Sequence, residues 1–275
     1  MSALDAGRVQ RHLREGYRLA ATASRIGPFT CYLHPASAHE ALNVAVPDEP
    51  TLGRRVALES AQPPGEVGPA DALAMLKAHF LAKARIPRIE LVLDVQPGLA
   101  QTLFAEGWRE EMRAPVLACT RESWRPLDAP PGVRVEALLP TTPWPLARDY
   151  LRVQRESYGL DMPIPERAPP GHWEALQIGA GILATLDGVP VAAGGLTVAV
   201  DGLCDVRGLG VVPAKRGQGI GAFLLSALAR IAHETGAEAV LAVPDTRASI
   251  ALAKKAGFEK AATLVSFRPE DAAAP

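Results

Sequence analysis

Three glycines and two cationic residues lie within the seven positions from Lys215 to Gly221, where the sequence reads KRGQGIG. An apolar run that ends at Pro213 precedes them, and a helical spacing of apolar residues follows. At the start of a helix the unpaired N–H groups point outward and the dipole favours an anion, while glycines let phosphate oxygens approach. The stretch therefore predicts a phosphate-binding loop, to which Arg216 adds cationic attraction. The alternative is that the glycines only allow a helix to pack closely against a strand.

The spacing of the glycines argues against the two commonest nucleotide loops. No Lys-Ser or Lys-Thr pair ends the stretch, as a P-loop requires. A dinucleotide fingerprint needs G-x-G-x-x-G after the first strand of a βαβ unit, whereas Gly217 begins G-x-G-x-G after an antiparallel meander. A dehydrogenase is therefore disfavoured.

The composition is that of an ordinary globular protein with room for two domains. The chain has 275 residues, a hydrophobic fraction of 48% and a formal net charge of -1, which point to neither a nucleic acid nor a membrane surface as partner. Cys31, Cys119 and Cys204 lie far apart, which excludes a cysteine-based zinc site and argues against disulfides, so we expect no metal. No apolar run approaches the ~20 residues of a membrane span, and no signal-peptide pattern opens the chain, so we expect a cytoplasmic protein.

The sequence pattern predicts an α/β fold with a mixed sheet in two domains. Three prolines and a glycine in residues 121–132 predict a linker between a first domain, 1–125, and a second, 130–275. Asp-Gly pairs at 187–188 and 201–202 favour tight hairpins, so an antiparallel meander leads into a parallel crossover. For the second domain we expect strand 133–139, helix 142–159, a helical piece around 166–177, strands in 181–188, 190–200 and 203–212, helix 219–235, strand 239–243, helix 246–256 and strand 262–268.

An internal repeat relates the two halves of the chain. A shift of 150 residues places 71–108 on 221–258 without a gap, including Gly107-Trp108 on Gly257-Phe258. The counterpart of the glycine loop in the first half, EVGPAD at 66–71, is acidic and lacks the motif, so we expect only the second domain to bind a phosphate ligand. Upstream of the repeat we expect helix 4–24 and strands in 27–36 and 41–47.

The second half resembles the GNAT acyltransferase superfamily, whose members bind acyl-CoA. The resemblance rests on Val211, Pro213, Arg216, Gly219 and Gly221, which match the family's pyrophosphate motif in register, and on Gly257-Phe258. It covers about 130–268 and implies two GNAT-like folds in tandem, the first degenerate and without CoA, and acetyl-CoA as co-substrate. The residues that it implies for CoA binding are Val211, Val212, Arg216, Gly217, Gln218, Gly219, Ile220, Gly221 and Thr246, the last at a position where the family usually has Asn.

The resemblance also implies the chemistry, a direct attack of an amine on the thioester carbonyl. A backbone N–H in the Val211–Val212 region of the strand would stabilise the oxyanion. Asp205 is the first candidate for the base, although a carboxylate at a hairpin end could simply be solvated. Glu174 and His172 are alternatives, because they precede the sheet where the substrate-facing helix of the family lies. Tyr158 could line the same cleft or serve in packing.

The general acid is missing from its usual place, because Ala253 occupies the position of the family's tyrosine. Ser249, one helical turn earlier, is a weak substitute, and Cys204 is better explained by packing than by a covalent intermediate. Two functions stay open: an N-acetyltransferase that acts on a small-molecule or peptide amine, and a non-catalytic acyl-CoA binding or sensing protein. We expect strands 114–120 and 262–267 to be adjacent. The contact between the two domains is then made within one chain, so we expect a monomer or a weak homodimer in solution.

Overall fold

The computed structural model describes residues 4–18, 21–35, 37–39, 42–48, 68–171, 173 and 178–271. The helices in these ranges are α1 (Ala6–Arg18), α2 (Pro69–Ala82), α3 (Pro97–Ala105), α4 (Trp144–Tyr158), α5 (Ile220–Glu234) and α6 (Arg247–Lys255). The strands are β1 (Thr22–Ile26), β2 (Phe29–Leu33), β3 (Asn43–Pro47), β4 (Ile89–Val92), β5 (Trp108–Thr120), β6 (Val133–Leu138), β7 (Ala180–Leu186), β8 (Val189–Leu196), β9 (Leu203–Val211), β10 (Ala239–Ala242) and β11 (Glu259–Pro269). The chain packs as two compact units, Met1–Val116 with Ala261–Pro275, and Leu117–Lys260. No helix within the described ranges is long and apolar enough to cross a membrane.

The first unit is a sheet whose core is closed by two helices. Its strands follow the order β1-β2-β3-β4-β11-β5. β1, β2 and β3 pair antiparallel, β3 pairs in parallel with β4, and β4 pairs antiparallel with Leu264–Phe267 of β11. Phe80 of α2 and Leu103 of α3 are fully buried in one cluster with Ile89 and Phe267 of the sheet, so the apolar faces of both helices form this core.

The second unit is an antiparallel meander that continues into a parallel crossover. β6 to β9 pair antiparallel in order, β9 pairs in parallel with β10, and β10 pairs antiparallel with the end of β5. A Cβ on Gly194 of β8 would meet Leu228 of α5 at 3.1 Å, and one on Gly195 would meet the Tyr150 hydroxyl of α4 at 2.9 Å. Successive strand residues point to opposite faces, so α5 and α4 cover opposite faces of this sheet.

Both Asp-Gly pairs form the tight hairpins that the sequence predicts. Asp187 and Gly188 have φ values of 51° and 82°, and Asp201 and Gly202 have 51° and 73°. Each pair forms a two-residue loop between strand-paired neighbours. Positive φ at both central residues is the turn geometry that matches the twist of the flanking strands. The predicted meander is therefore confirmed.

Elements recur in the two units at the offset of the sequence repeat. β4 and β10 begin at positions 89 and 239, and α3 and α6 begin at positions 97 and 247. Gly107 and Gly257 follow these two helices, and both have left-handed backbone, with φ of 73° and 92°. That the first unit is a degenerate copy without CoA stays a prediction. Residues 66 and 67 of its counterpart to the glycine loop lie outside the described residues.

β5 and β11 are long strands, of 13 and 11 residues, and each has one end in each unit. They are hydrogen-bonded neighbours in the strand order, so the expected adjacency of the strands that contain 114–120 and 262–267 is confirmed. The predicted functional domains, 1–125 and 130–275, stay a prediction. The compact units follow packing instead, and they assign the chain from Ala261 onward to the first unit.

The helix predicted over 4–24 is too long. It ends at Arg18, and Thr22–Ile26 form a strand that pairs antiparallel with β2 around the left-handed Gly27, whose φ is 55°. The helical spacing of apolar residues cannot reveal this end, because the hairpin is fixed by the partner strand. Of the helical piece expected over 166–177, residues 166–171 form bends and a turn instead of a helix, because the prolines at 169 and 170 interrupt it, and residues 172 and 174–177 lie outside the described residues.

The proline-rich segment 121–132 is held against the second unit and is not a free linker. Trp124 Nε1 donates a hydrogen bond to the Ser226 carbonyl at 3.1 Å, and the Arg125 N–H donates to the Ala256 carbonyl at 3.2 Å. The prolines and the glycine therefore mark an extended segment that has no strand partner. The Trp124 side chain attaches this segment to α5.

Candidate functional site

Strand β9 loses its β10 neighbour after the first three of its nine residues. Its parallel ladder with β10 runs from Leu203 to Asp205, and the described part of the chain holds no further β9–β10 pair. On the other side β9 stays paired with β8 up to Val211, with a register shift opposite the segment between Ala193 and Gly195. Residues 206–211 therefore have an open edge, and such an edge offers N–H and C=O groups to a ligand.

The two valines at the end of β9 turn their N–H groups to different sides. The Val212 N–H donates to the Val191 carbonyl of β8 at 2.9 Å. Residues of an antiparallel strand alternately face the partner strand and the opposite side, so Val211 directs its N–H to the open edge. The sequence named the Val211–Val212 region as oxyanion donor; in the structure the Val212 N–H is already bonded, and the Val211 N–H is the one that faces the open edge.

Beyond the open edge the chain makes one turn of 3₁₀-helix, Pro213–Lys215, and enters α5. Gly217 and Gly219 are exposed and left-handed, with φ of 79° and 81°. A Cβ on Gly217 would meet nothing within 4 Å, and one on Gly219 only Pro130 at 3.8 Å, so the space around the turn is open. Across the described ranges, the N–H groups of residues 217–220, which include Gln218 and Ile220, bond to no other residue. This is the arrangement that anions occupy at helix starts.

Gly221 has a different role from the other two glycines. A Cβ there would lie 2.7 Å from Leu252 of α6 and 3.4 Å from Val211. Gly221 therefore lets α5 pack closely against α6 and β9. The sequence left phosphate binding and close packing as alternatives for the loop, and the structure assigns packing to Gly221 while Gly217 and Gly219 face open space.

The Arg216 side chain points back to the protein. Its Nε donates to the Val211 carbonyl at 3.1 Å, and its Nη2 donates to the Ser157 carbonyl at 2.7 Å. The guanidinium thereby joins the turn to the end of β9 and to the last turn of α4. The sequence expected this cation to attract a pyrophosphate directly, whereas its hydrogen bonds here fix the shape of the loop.

Thr246 and Ser249 cap the start of α6. The Thr246 hydroxyl accepts from the Ser249 N–H at 3.1 Å, and the Thr246 N–H donates to the Ser249 hydroxyl at 3.0 Å. This is a reciprocal capping box, which satisfies two backbone donors at the helix start. The sequence named Thr246 for CoA binding and Ser249 as a weak acid candidate, and both hydroxyls are committed to the cap.

Asp205 lies near the point where β9 and β10 part. Its side chain is 15% exposed, and its carboxylate lies 3.9 Å from the Arg207 guanidinium. Arg207 pairs with Gly195, whose Cα faces α4, so Asp205, two residues earlier, lies on the same face. His172 and Glu174, the alternative bases, lie outside the described residues.

Cys204 is an unreactive core residue. It is 2% exposed in the core of the second unit, and burial, with a smaller effect from the Asp205 carboxylate, raises the pKa of its thiol to about 12. A thiolate is the nucleophilic form, so the covalent alternative loses its basis. Within the described ranges no group of three or more His, Cys, Asp or Glu side chains could hold a metal ion.

The position of the missing tyrosine is closed, and another tyrosine reaches the open edge. Ala253 is 1% exposed and packs in the core. Tyr158, by contrast, donates from its hydroxyl to the Leu209 carbonyl at 2.9 Å, which places it at β9 rather than in general packing. The sequence analysis did not predict that α4 lies so close to β9. Gly208 and Gly210, two glycines in a predicted strand, were the available signal for this close approach.

The comparison with known proteins agrees with this architecture. The sequence profile of the Acetyltransferase (GNAT) family matches residues 145–258. A GCN5-related N-acetyltransferase from Kribbella flavida is similar at 25% identity, with a TM-score of 0.75 over 98% of this chain and 97% of that chain. A tandem GNAT protein from the clavulanic acid biosynthesis pathway is similar in fold, at 16% identity and a TM-score of 0.57 over 90% of this chain and 79% of that chain. No curated protein matches the chain.

The match of the family profile spans α4, the meander, the glycine turn and Gly257-Phe258, which are the elements that build the site. The predicted fold class, a mixed α/β sheet of the GNAT type, is confirmed. The part of this chain that matches the acetyltransferase (GNAT) family is residues 145–258.

Proposed function

We propose that this chain is an N-acetyltransferase that moves the acetyl group of acetyl-CoA to a small-molecule or peptide amine by direct attack. The observation that carries the proposal is the succession of an open strand edge, an exposed turn with left-handed Gly217 and Gly219, and the start of α5. Family membership supports acyl transfer from CoA to an amine in general. The roles of individual site residues and the class of acceptor are our proposal beyond that general activity.

The glycine turn would hold the pyrophosphate of CoA. The unbonded N–H groups of residues 217–220 and the dipole at the start of α5 attract an anion, and the open space around Gly217 and Gly219 admits phosphate oxygens. Lys215 and Arg216 make the neighbourhood cationic. Arg216 would act mainly by holding the turn in shape, since its donors bind backbone carbonyls.

The pantetheine arm would lie along the open edge of β9, as an added strand does at a sheet edge. The Val211 N–H faces this edge, and it would donate to the oxyanion that forms when the amine attacks the thioester. Loss of one such donor typically costs ~10²–10³ in kcat, so this backbone group would contribute a substantial part of the rate.

Asp205 would accept the proton of the substrate ammonium. The six residue steps from Asp205 to Val211 would span about 20 Å in a regular strand at ~3.3 Å per residue, and the bulge at Gly208 shortens this distance. At that separation the carboxylate would take the proton through a chain of several water molecules, not by direct contact with the amine. Glu174 and His172 remain alternative bases.

A second function rests on one specific observation. Ala253 has no proton to donate and is buried, so the acid that the family resemblance implies is absent from its usual place. A non-catalytic protein that binds or senses acyl-CoA would need no such group. The two functions differ in a single property, the release of CoA in the presence of an amine.

A panel of amines with acetyl-CoA and continuous thiol detection tests the proposal. We expect at least one primary amine to release CoA in proportion to enzyme, with the acetylated amine identified by mass spectrometry. The matched control is the Gly219→Asp chain, which we expect to keep the fold, since a side chain there meets only Pro130 at 3.8 Å, and to lose saturation by acetyl-CoA. Tight CoA binding without any acetylated amine would favour the sensing function.

A further inference from the structure

The last turn of α4 lies directly on β9. A Cβ on Gly210 would come within 2.5 Å of the Ser157 Cβ and 3.6 Å of the Tyr158 ring, and one on Gly208 would overlap the Gln154 amide. Only glycines at these positions permit the contact. Gln154 Nε2 also donates to the Gly208 carbonyl at 3.0 Å, so the helix is bonded to the strand.

Two further contacts fix where Tyr158 stands. Tyr158 is the last residue of α4, which ends at Gly159 with a φ of 66°, and Arg216 binds the Ser157 carbonyl just before it. The Tyr158 hydroxyl donates to the Leu209 carbonyl at 2.9 Å. Leu209 lies within the stretch of β9 that has no β10 partner. Tyr158 is 56% exposed, so a ligand along this edge could touch it.

Burial and a nearby carboxylate both act on the pKa of the same hydroxyl. Burial raises the pKa of the Tyr158 hydroxyl, and the Asp245 carboxylate, which follows β10, raises it further. The hydroxyl therefore interacts with two elements: it donates to the Leu209 carbonyl of β9, and its pKa is raised by Asp245 in the loop after β10. Its proton stays bound at neutral pH, as a general acid requires.

We propose that Tyr158 is the catalytic acid that protonates the departing CoA thiolate, and that it replaces the tyrosine missing at Ala253. This rests on the proposed acetyltransferase function. The amine nitrogen bonds to the thioester carbon, the C–S bond breaks with its electron pair on sulfur, and the Tyr158 proton moves to sulfur. The proton that nitrogen loses passes to the base and solvent, and solvent returns one to the tyrosinate.

The test combines Tyr158→Phe with a probe that reports on the sulfur alone. In steady state with the best amine, we expect kcat to fall by roughly 10²-fold or more, with the KM for acetyl-CoA unchanged. Affinities for CoA and for desulfo-CoA are then measured by calorimetry. The wild-type chain should prefer CoA by about 2- to 12-fold, the ratio that one hydrogen bond contributes, and the variant should show no preference.

Tyr32→Phe is the matched control, because it removes a tyrosine hydroxyl from β2 of the first unit, outside the unit that holds the open edge. It should keep kcat and the preference for CoA. If the wild type is active and the Tyr158→Phe variant turns over equally fast, or still prefers CoA over desulfo-CoA, the role of Tyr158 is overturned while the acetyltransferase function stands. A wild type that binds CoA but acetylates no amine overturns the acetyltransferase function and this role with it.

Discussion

The exposed turn before α5 offers the sharpest perturbation of CoA binding, Gly219→Asp. Gly219 is the N-cap of α5, with φ of 81° and ψ of -8°, and a side chain there meets only Pro130 at 3.8 Å. The new carboxylate therefore enters open space, where we place the pyrophosphate, and disturbs no packed neighbour. The left-handed backbone costs about 1–2 kcal/mol of stability, a cost that Asp bears better than most residues.

The effect on binding follows from charge. Two unit charges about 6 Å apart repel by about 3 kcal/mol at an effective dielectric constant of about 20. Because 1.4 kcal/mol is a factor of ten, the Kd for CoA should rise by about 100-fold at low ionic strength. Added salt should reduce the effect, since the Debye length is only ~8 Å at physiological ionic strength.

Calorimetric titration with CoA measures this change, and two variants separate its causes. Gly219→Asn has the same shape and backbone strain without the charge, so it should bind CoA more weakly than the wild type through steric exclusion alone, but more tightly than Gly219→Asp. Gly236→Asp places the same charge at a left-handed glycine beyond the other end of α5, with φ of 99° and nothing within 4 Å, and it should also bind. A folded Gly219→Asp variant with unchanged Kd would refute the reasoning and leave the loop a structural turn.

Three other changes follow from the same structure. Asp205→Asn should lower turnover most below the pKa of the amine and little above it, and equal rates across pH would move the base to Glu174 or His172. Gly257→Ala should destabilise the chain by about 2 kcal/mol or more in urea, because its Cβ would collide with the Ser123 carbonyl and its φ is 92°; Gly236→Ala, with strain but no collision, should cost less. Iodoacetamide should leave Cys204 unmodified in the folded chain at pH 8, since burial raises its pKa to about 12, and rapid native-state labelling would contradict this.

Local signals predicted most of the second unit. The Asp-Gly pairs fix two-residue turns whatever surrounds them, and the strand, turn and helix around Gly219 follow from glycine spacing and apolar periodicity. The end of α1 could not be predicted in this way. The chain from Thr22 is a strand because it pairs with β2, and the spacing of apolar residues along α1 carries no information about that pairing.

The site was predictable in its backbone and less so in its side chains. Glycine spacing located the turn, but it could not distinguish Gly221, which packs on Leu252, from Gly219, which faces open space. Arg216 bears the expected charge, yet its direction depends on carbonyls that the fold brings near from Val211 and Ser157. The sequence left two roles open for Tyr158, lining the cleft or packing, because its position depends on how closely α4 approaches the glycines of β9.

The central claim is that acetyl-CoA binds with its pyrophosphate on the turn before α5 and its thioester at the open edge of β9. A crystal structure of the full chain with CoA tests it most directly. We expect the pyrophosphate oxygens within hydrogen-bond distance of the N–H groups of residues 217–220, one CoA per chain, and the sulfur beside the Tyr158 hydroxyl. A pyrophosphate bound elsewhere, or a second CoA in the first unit, would contradict the account.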